Sequence, residues 1–162
     1  MTHIGKALTA KGVKPIVNYK HAFKNTYLYG SFSPINGDSF IWEIEGVNTK
    51  IFELYLSEFS KYKPNELKVI VIDNAGFHST KNITIPDNII LINIPAYCPE
   101  LNPSEKIWGY LKQKYKNRVF ETLENVKEWL YETIRNELSK SRVKSITHNI
   151  FYNQCYQDHL KV

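Results

Sequence analysis

The chain has no apolar run of about 18 residues, the length a membrane-spanning helix needs. Its opening segment, MTHIGKALTAKG, has neither the apolar core of a secretory leader nor an amphipathic targeting pattern. A soluble, cytoplasmic protein without a membrane partner is expected. Cysteine is scarce: Cys98 and Cys155 stand far apart, in no CxxC or Cys/His cluster, so neither a disulfide framework nor a structural zinc site is indicated. Internal repeats, low-complexity tracts and linkers are missing too, which leaves one α/β domain over residues 1–162. What is present is ample for one core, with 43% hydrophobic and 14% aromatic residues in 162. A net charge of +5 fits a polyanionic partner. A positive balance of that size is also common in proteins that never touch nucleic acid.

Residues 1–24 read as an irregular basic arm, because Gly5, Gly12 and Pro15 interrupt the segment from Lys6 to Lys24. Two stretches with period-two alternation, TYLYGSF (Thr26 to Phe32) and SFIWEIE (Ser39 to Glu45), flank Asn36-Gly37 and predict a hairpin with a tight turn. Thr49 is a candidate cap for a helix that places Ile51, Phe52, Tyr55, Leu56 and Phe59 on one face and ends before Pro64. The runs KVIVI (Lys68 to Ile72) and IILINI (Ile89 to Ile94) lack polar alternation, as parallel central strands covered on both faces do. Helices follow from Pro103 to about Arg118 and from Thr122 to Leu138, with shorter helical turns continuing toward Tyr156.

Two carboxylates stand where chemistry is placed in such folds. Asp73 follows KVIVI directly, at the carboxyl end of a parallel strand, where α/β sheets gather catalytic groups. The competing reading is that Asp73 and Asn74 only start a turn. Glu105 lies in PAYCPELNPSEKIW (Pro95 to Trp108), the loop that leaves the second parallel strand and enters a helix. Its competing reading is a capping box: Asn102 caps, Pro103 opens the helix, and Glu105 serves its own helix three residues on. Neighbouring parallel strands would bring both to one sheet edge. A pair of carboxylates there suits Mg²⁺ or Mn²⁺, which take hard oxygen ligands and keep water and substrate phosphate in their shells. The cations Lys106, Lys112, Lys114, Lys116 and Arg118 follow on the same helix and offer a track for a DNA backbone. An ordinary solvated helix face is the other reading of them.

DNAGFH and PAYCPELNPSEKIWGYLK together resemble the second and third catalytic blocks of the DDE transposases of insertion sequences related to mariner elements. KGVKPIV (Lys11 to Val17) and YLYGSFSPINGDSFI (Tyr27 to Ile41) resemble the segment between that family's first and second blocks, so the likeness covers nearly the whole chain. It implies an RNase H-like mixed sheet, an antiparallel hairpin plus parallel central strands, flanked by helices. It implies metal-dependent DNA cleavage and strand transfer, with transposon ends and target DNA as partners. Asp73 and Glu105 would be the catalytic, metal-holding residues and Asn74 and His78 would support them by orienting water or the DNA backbone. A purely structural role for His78 stays open.

The family's first catalytic aspartate sits on the first central strand, and no counterpart precedes KGVKP: the only acidic residue before Glu43 is Asp38. The family's N-terminal helix-turn-helix region has no counterpart either. The expectation is therefore a chain shortened at its start, produced by a downstream start, or forming the second half of a transposase split between two reading frames. The first central strand is then missing or replaced, and the chain alone is inactive or impaired. A strand gap leaves unpaired edges. Strand exchange in a homodimer, repacking of the Met1 to Lys20 arm, or a polypeptide supplying strand and aspartate would fill it. Two other functions compete: a different RNase H-like nuclease, and a non-catalytic DNA-binding or dimerising remnant.

Overall fold

The computed structural model describes residue 11, residues 25–73, 83–95 and 98–150, and residues 152 and 154. Apart from Lys11 the basic arm lies outside the described residues. Strands β1 (Tyr27–Phe32) and β2 (Ser39–Ile44) pair antiparallel, Tyr27 opposite Ile44 and Phe32 opposite Ser39. The connection is wider than the tight turn expected from Asn36-Gly37. It spans residues 33–38 and closes through Ser33 N–H to the Asp38 carbonyl (2.8 Å), with the Ser33 hydroxyl accepting from Ile35 and Asn36 amides (3.3 Å each). Gly37 supplies the one left-handed residue of this loop, at φ 76°, packed so closely that an added Cβ would lie 2.0 Å from the Lys140 carbonyl oxygen.

Helix α1 (Thr49–Lys61) is capped by Asn48 rather than Thr49, its side chain accepting from Ile51 N–H at 2.9 Å. Its buried residues Phe52, Tyr55 and Leu56 face the hairpin and, beyond it, a second ladder formed by β3 (Lys68–Ile72) and β4 (Ile89–Asn93). These two strands are parallel as expected, Lys68 opposite Ile89 and Ile72 opposite Asn93. One core joins both ladders under α1: Tyr29, Ile44, Ile72 and Ile89 pack with the three helix residues. Tyr55 ties the helix down, donating its hydroxyl toward the Ser31 hydroxyl (2.7 Å) and the Phe40 carbonyl (3.1 Å).

The second core lies on the other face of the hairpin, where Phe32 meets Ile107 and Leu111 of α2 (Pro103–Tyr115), Leu138 after α3 (Leu123–Glu137), and Val143 of α4 (Lys140–Thr147). These helices stack over β1 and β2, not over β3 and β4. The expectation that the parallel strands are covered on both faces is thus corrected: Val69, Ile90 and Ile92 remain 46 to 56% exposed. Among the described residues the two ladders share a core but no strand-to-strand hydrogen bonds.

Candidate active site

Asp73 is placed by the end of a ladder. At the carboxyl end of the parallel pair Ile94 N–H donates to the Ile72 carbonyl (2.9 Å), so Asp73 emerges half-buried at that edge, beside the point where the chain leaves β4. Asn74 and His78 lie outside the described residues.

Glu105 is placed by a cap. After β4 the chain makes a single 3-10 turn (Pro99–Leu101), and Asn102 then caps α2 with its side-chain oxygen accepting from Ser104 N–H at 3.0 Å. In a capping box Glu105 would reach back to the Asn102 amide. That amide instead donates to the Pro99 carbonyl at 2.9 Å, inside the 3-10 turn. Glu105 is exposed, and no hydrogen bond or ion pair engages its side chain among the described residues. The local sequence offered two uses for this carboxylate, and the fold leaves the helix-serving one empty.

The platform beneath Glu105 is firm. Ser104 donates its hydroxyl to the Gly30 carbonyl (3.4 Å), and Trp108, one turn on, packs edge-to-face on Phe32 with ring centroids 5.3 Å apart. A Cβ on Gly30 would sit 2.7 Å from the Trp108 ring, so the bare backbone of Gly30 is what lets α2 approach β1. From the far end of the chain, Tyr152 bonds its hydroxyl to the Leu101 carbonyl, and the His148 carbonyl receives the Lys106 ammonium at 2.7 Å. None of these supporting contacts was indicated by the sequence, except that a glycine inside a strand is a recognised signal of close approach.

The five cations on and beyond α2 separate into two groups. Lys106 is held by His148, and Lys114 pairs with Glu137 at 2.8 Å, whose carboxylate raises the Lys114 pKa. Arg118 bonds the Lys114 carbonyl (3.0 Å) and lies over the Trp129 ring. Lys112 and Lys116 are exposed, and their ammonium groups have no such partner among the described residues.

No group of three or more His, Cys, Asp or Glu side chains gathers among the described residues. Asp73 and Glu105 therefore stand as two carboxylates on separate elements, joined by the short path from β4 to α2. Their chemistry fits a divalent cation that takes hard oxygen ligands, needs only one or two from protein, and completes its shell with water and phosphate. No described helix is long and apolar enough to cross a membrane.

The family described as DDE superfamily endonuclease matches residues 2–127. A curated protein of Sinorhizobium fredii (strain NBRC 101917 / NGR234), named uncharacterized protein y4pE/y4sA, is 28% identical over 102 residues, covering 62% of this chain and 76% of that protein. Among solved structures, the Mos1 transposase paired-end complex with left transposon end superposes with a TM-score of 0.68 at 17% identity, over 90% of this chain. That likeness is one of fold. The chain spans about half, 47%, of the Mos1 chain it matches.

Proposed function

The chain belongs to the DDE superfamily endonuclease family and has an RNase H-like fold, and from that membership we propose that it is a transposase catalytic core, cutting and joining DNA with Asp73 and Glu105 as its metal-holding carboxylates. The observation that carries the reading is Glu105, fixed at the start of a well-anchored helix yet released from its own cap. Asp73, at the adjoining strand end, supplies the second oxygen donor.

When bound, Mg²⁺ or Mn²⁺ would activate a water or a DNA 3′-hydroxyl and stabilise the leaving oxygen of an in-line displacement at phosphorus. The protein's own part is positional. Asp73 and Glu105 would hold the cations, while Asn74 and His78 would orient water or the DNA backbone. Lys106, Lys112, Lys114, Lys116 and Arg118 would follow the DNA strand, with Lys112 and Lys116 the two whose ammonium groups have no partner among the described residues. The partners are transposon ends and target DNA, the domain comprises residues 1–162, and the setting is cytoplasmic.

A second reading rests on the same count of carboxylates. Two among the described residues is one fewer than a full triad, which favours a DNA-binding or dimerising role until a homodimer partner or another polypeptide supplies the third with its strand. A plasmid-nicking assay with Mn²⁺ decides between them, run on the chain alone and with an added polypeptide bearing an apolar strand that ends in aspartate. Nicking that needs the addition, and is abolished by Asp73→Asn or Glu105→Gln, supports the catalytic reading. Nicking untouched by either substitution sinks the site. Calorimetric Mg²⁺ titration adds an independent check: binding by wild type and Asp73→Ala must differ.

A further inference from the structure

The chain just before and just after Glu105 is fastened by residues from beyond α4. The half-buried Tyr152 donates its hydroxyl to the Leu101 carbonyl, and the Lys106 ammonium donates to the His148 carbonyl at 2.7 Å. Leu101 is open to that bond for a local reason. A regular helix would aim the Glu105 amide four residues back, at Leu101, but this amide bonds the Asn102 carbonyl at 3.1 Å. The carbonyl that ends the 3-10 turn is thereby left to a side chain, and Tyr152, whose hydroxyl stands at the tip of a rigid ring, supplies the donor.

The other bond has a firm base. His148 directly follows α4, in which Val143 and Thr147 are fully buried, Val143 in one core with Ile107 and Leu111, while the Thr147 hydroxyl donates to the Val143 carbonyl at 2.7 Å. That apolar packing already holds α2 in place, and a hydrogen bond open to water adds little stability beside it. What the two bonds add is position. They grip the first turn of α2 on both sides of its acidic residue, Glu105, and a metal-holding group must stay within about 0.5 Å of its productive place. We propose that Tyr152 and Lys106 are positioning residues, which set this turn and through it the Glu105 carboxylate for a divalent cation. The inference rests on the reading of Glu105 given above, and it gives Lys106 a task that needs no DNA.

The test is the Mn²⁺ affinity of the full chain without DNA, read by electron paramagnetic resonance, beside the thermal midpoint and amide hydrogen exchange. Tyr152→Phe keeps the ring and removes only the hydroxyl. It weakens Mn²⁺ binding by about tenfold, as loss of an outer partner of a metal ligand does, and lowers the midpoint by no more than about 4 °C. Exchange of the Ser104 and Glu105 amides quickens. Lys106→Met also weakens Mn²⁺ binding, although removing a positive charge beside the cation would by Coulomb's law alone tighten it. Lys106→Arg, which keeps a donor for the His148 carbonyl, restores affinity. Wild-type Mn²⁺ affinity in Tyr152→Phe, tighter binding in Lys106→Met, or unchanged exchange at Ser104 and Glu105 overturns the proposal. So does affinity that falls only in step with a collapsed midpoint, which marks a merely structural bond. Glu105→Gln keeps the two readings apart. Mn²⁺ affinity lost in Glu105→Gln but normal in Tyr152→Phe and Lys106→Met removes only the positioning, whereas Mn²⁺ binding absent from the wild type or untouched by Glu105→Gln removes the reading of the carboxylates and this proposal with it.

Discussion

Asn102 and Glu105 stand three residues apart at one helix start, yet the fold gives them unlike work. The Asn102 side chain holds Ser104 N–H, so Asn102→Ala should cost about 1 kcal/mol of stability, a typical loss for an N-cap. The Glu105 side chain makes no bond to its helix, and Glu105→Gln should shift the urea midpoint by less than about 0.5 kcal/mol equivalent while removing metal-dependent nicking. Equal destabilisation by both substitutions would return Glu105 to a capping role. A second residue-scale expectation concerns Asp38, whose carboxylate meets Lys140 at 2.8 Å and also pairs with Lys63. The bond to Lys140 first, and then that to Lys63, hold its pKa below the ordinary value. A group depressed in the folded state stabilises fully above its unfolded pKa, and the contribution fades as pH falls through the folded value. Stability of the wild type should therefore decline below about pH 4 more steeply than that of Asp38→Asn, as urea melts at graded pH will register.

At the scale of elements, the contact that places the candidate site is α2 on β1, and it depends on Gly30. An added methyl would press on Trp108 at 2.7 Å and on the Phe32 ring at 2.8 Å, both parts of the second core. Gly30→Ala should cost about 1–3 kcal/mol as an overpacked position, and nicking should fall with it because the platform under Glu105 shifts. A stable Gly30→Ala with full activity would show that α2 is anchored elsewhere. Most elements were legible in the sequence, since period-two and period-3.6 patterns mark β1, β2, α1, α2 and α3, and two unbroken apolar runs mark β3 and β4. What escaped was local competition among polar groups. Asn48 outcompetes its neighbour Thr49 for the cap, and Ser33 with Asn36 builds a six-residue loop where Asn36-Gly37 suggested a tighter turn. The 3-10 turn before α2 escaped too, and with it the reason Glu105 is free of its cap: Pro99 takes the amide first.

Across the whole molecule, two ladders lean on one helix, and the distribution of covering helices decides which apolar residues carry stability. An unbroken run such as IILIN carries no periodicity to say which side is covered, so the sequence could indicate burial of both faces but not distinguish them. The fold does. Ile89 is 5% exposed beneath α1, whereas its neighbours on the opposite face, Ile90 and Ile92, are 46% and 48% exposed because α2, α3 and α4 stack over the hairpin instead. Truncating Ile89 opens a cavity and removes buried apolar surface together, at about 2–5 kcal/mol for Ile→Ala. Truncating Ile90 or Ile92 leaves no enclosed cavity and removes side chains already half in water, so each Ile→Ala should cost less than about 1 kcal/mol. Urea denaturation of the three variants at low protein concentration measures the contrast directly. If Ile90→Ala and Ile92→Ala match Ile89→Ala, something in solution covers this face, and the two-ladder arrangement is not the whole of the folded state.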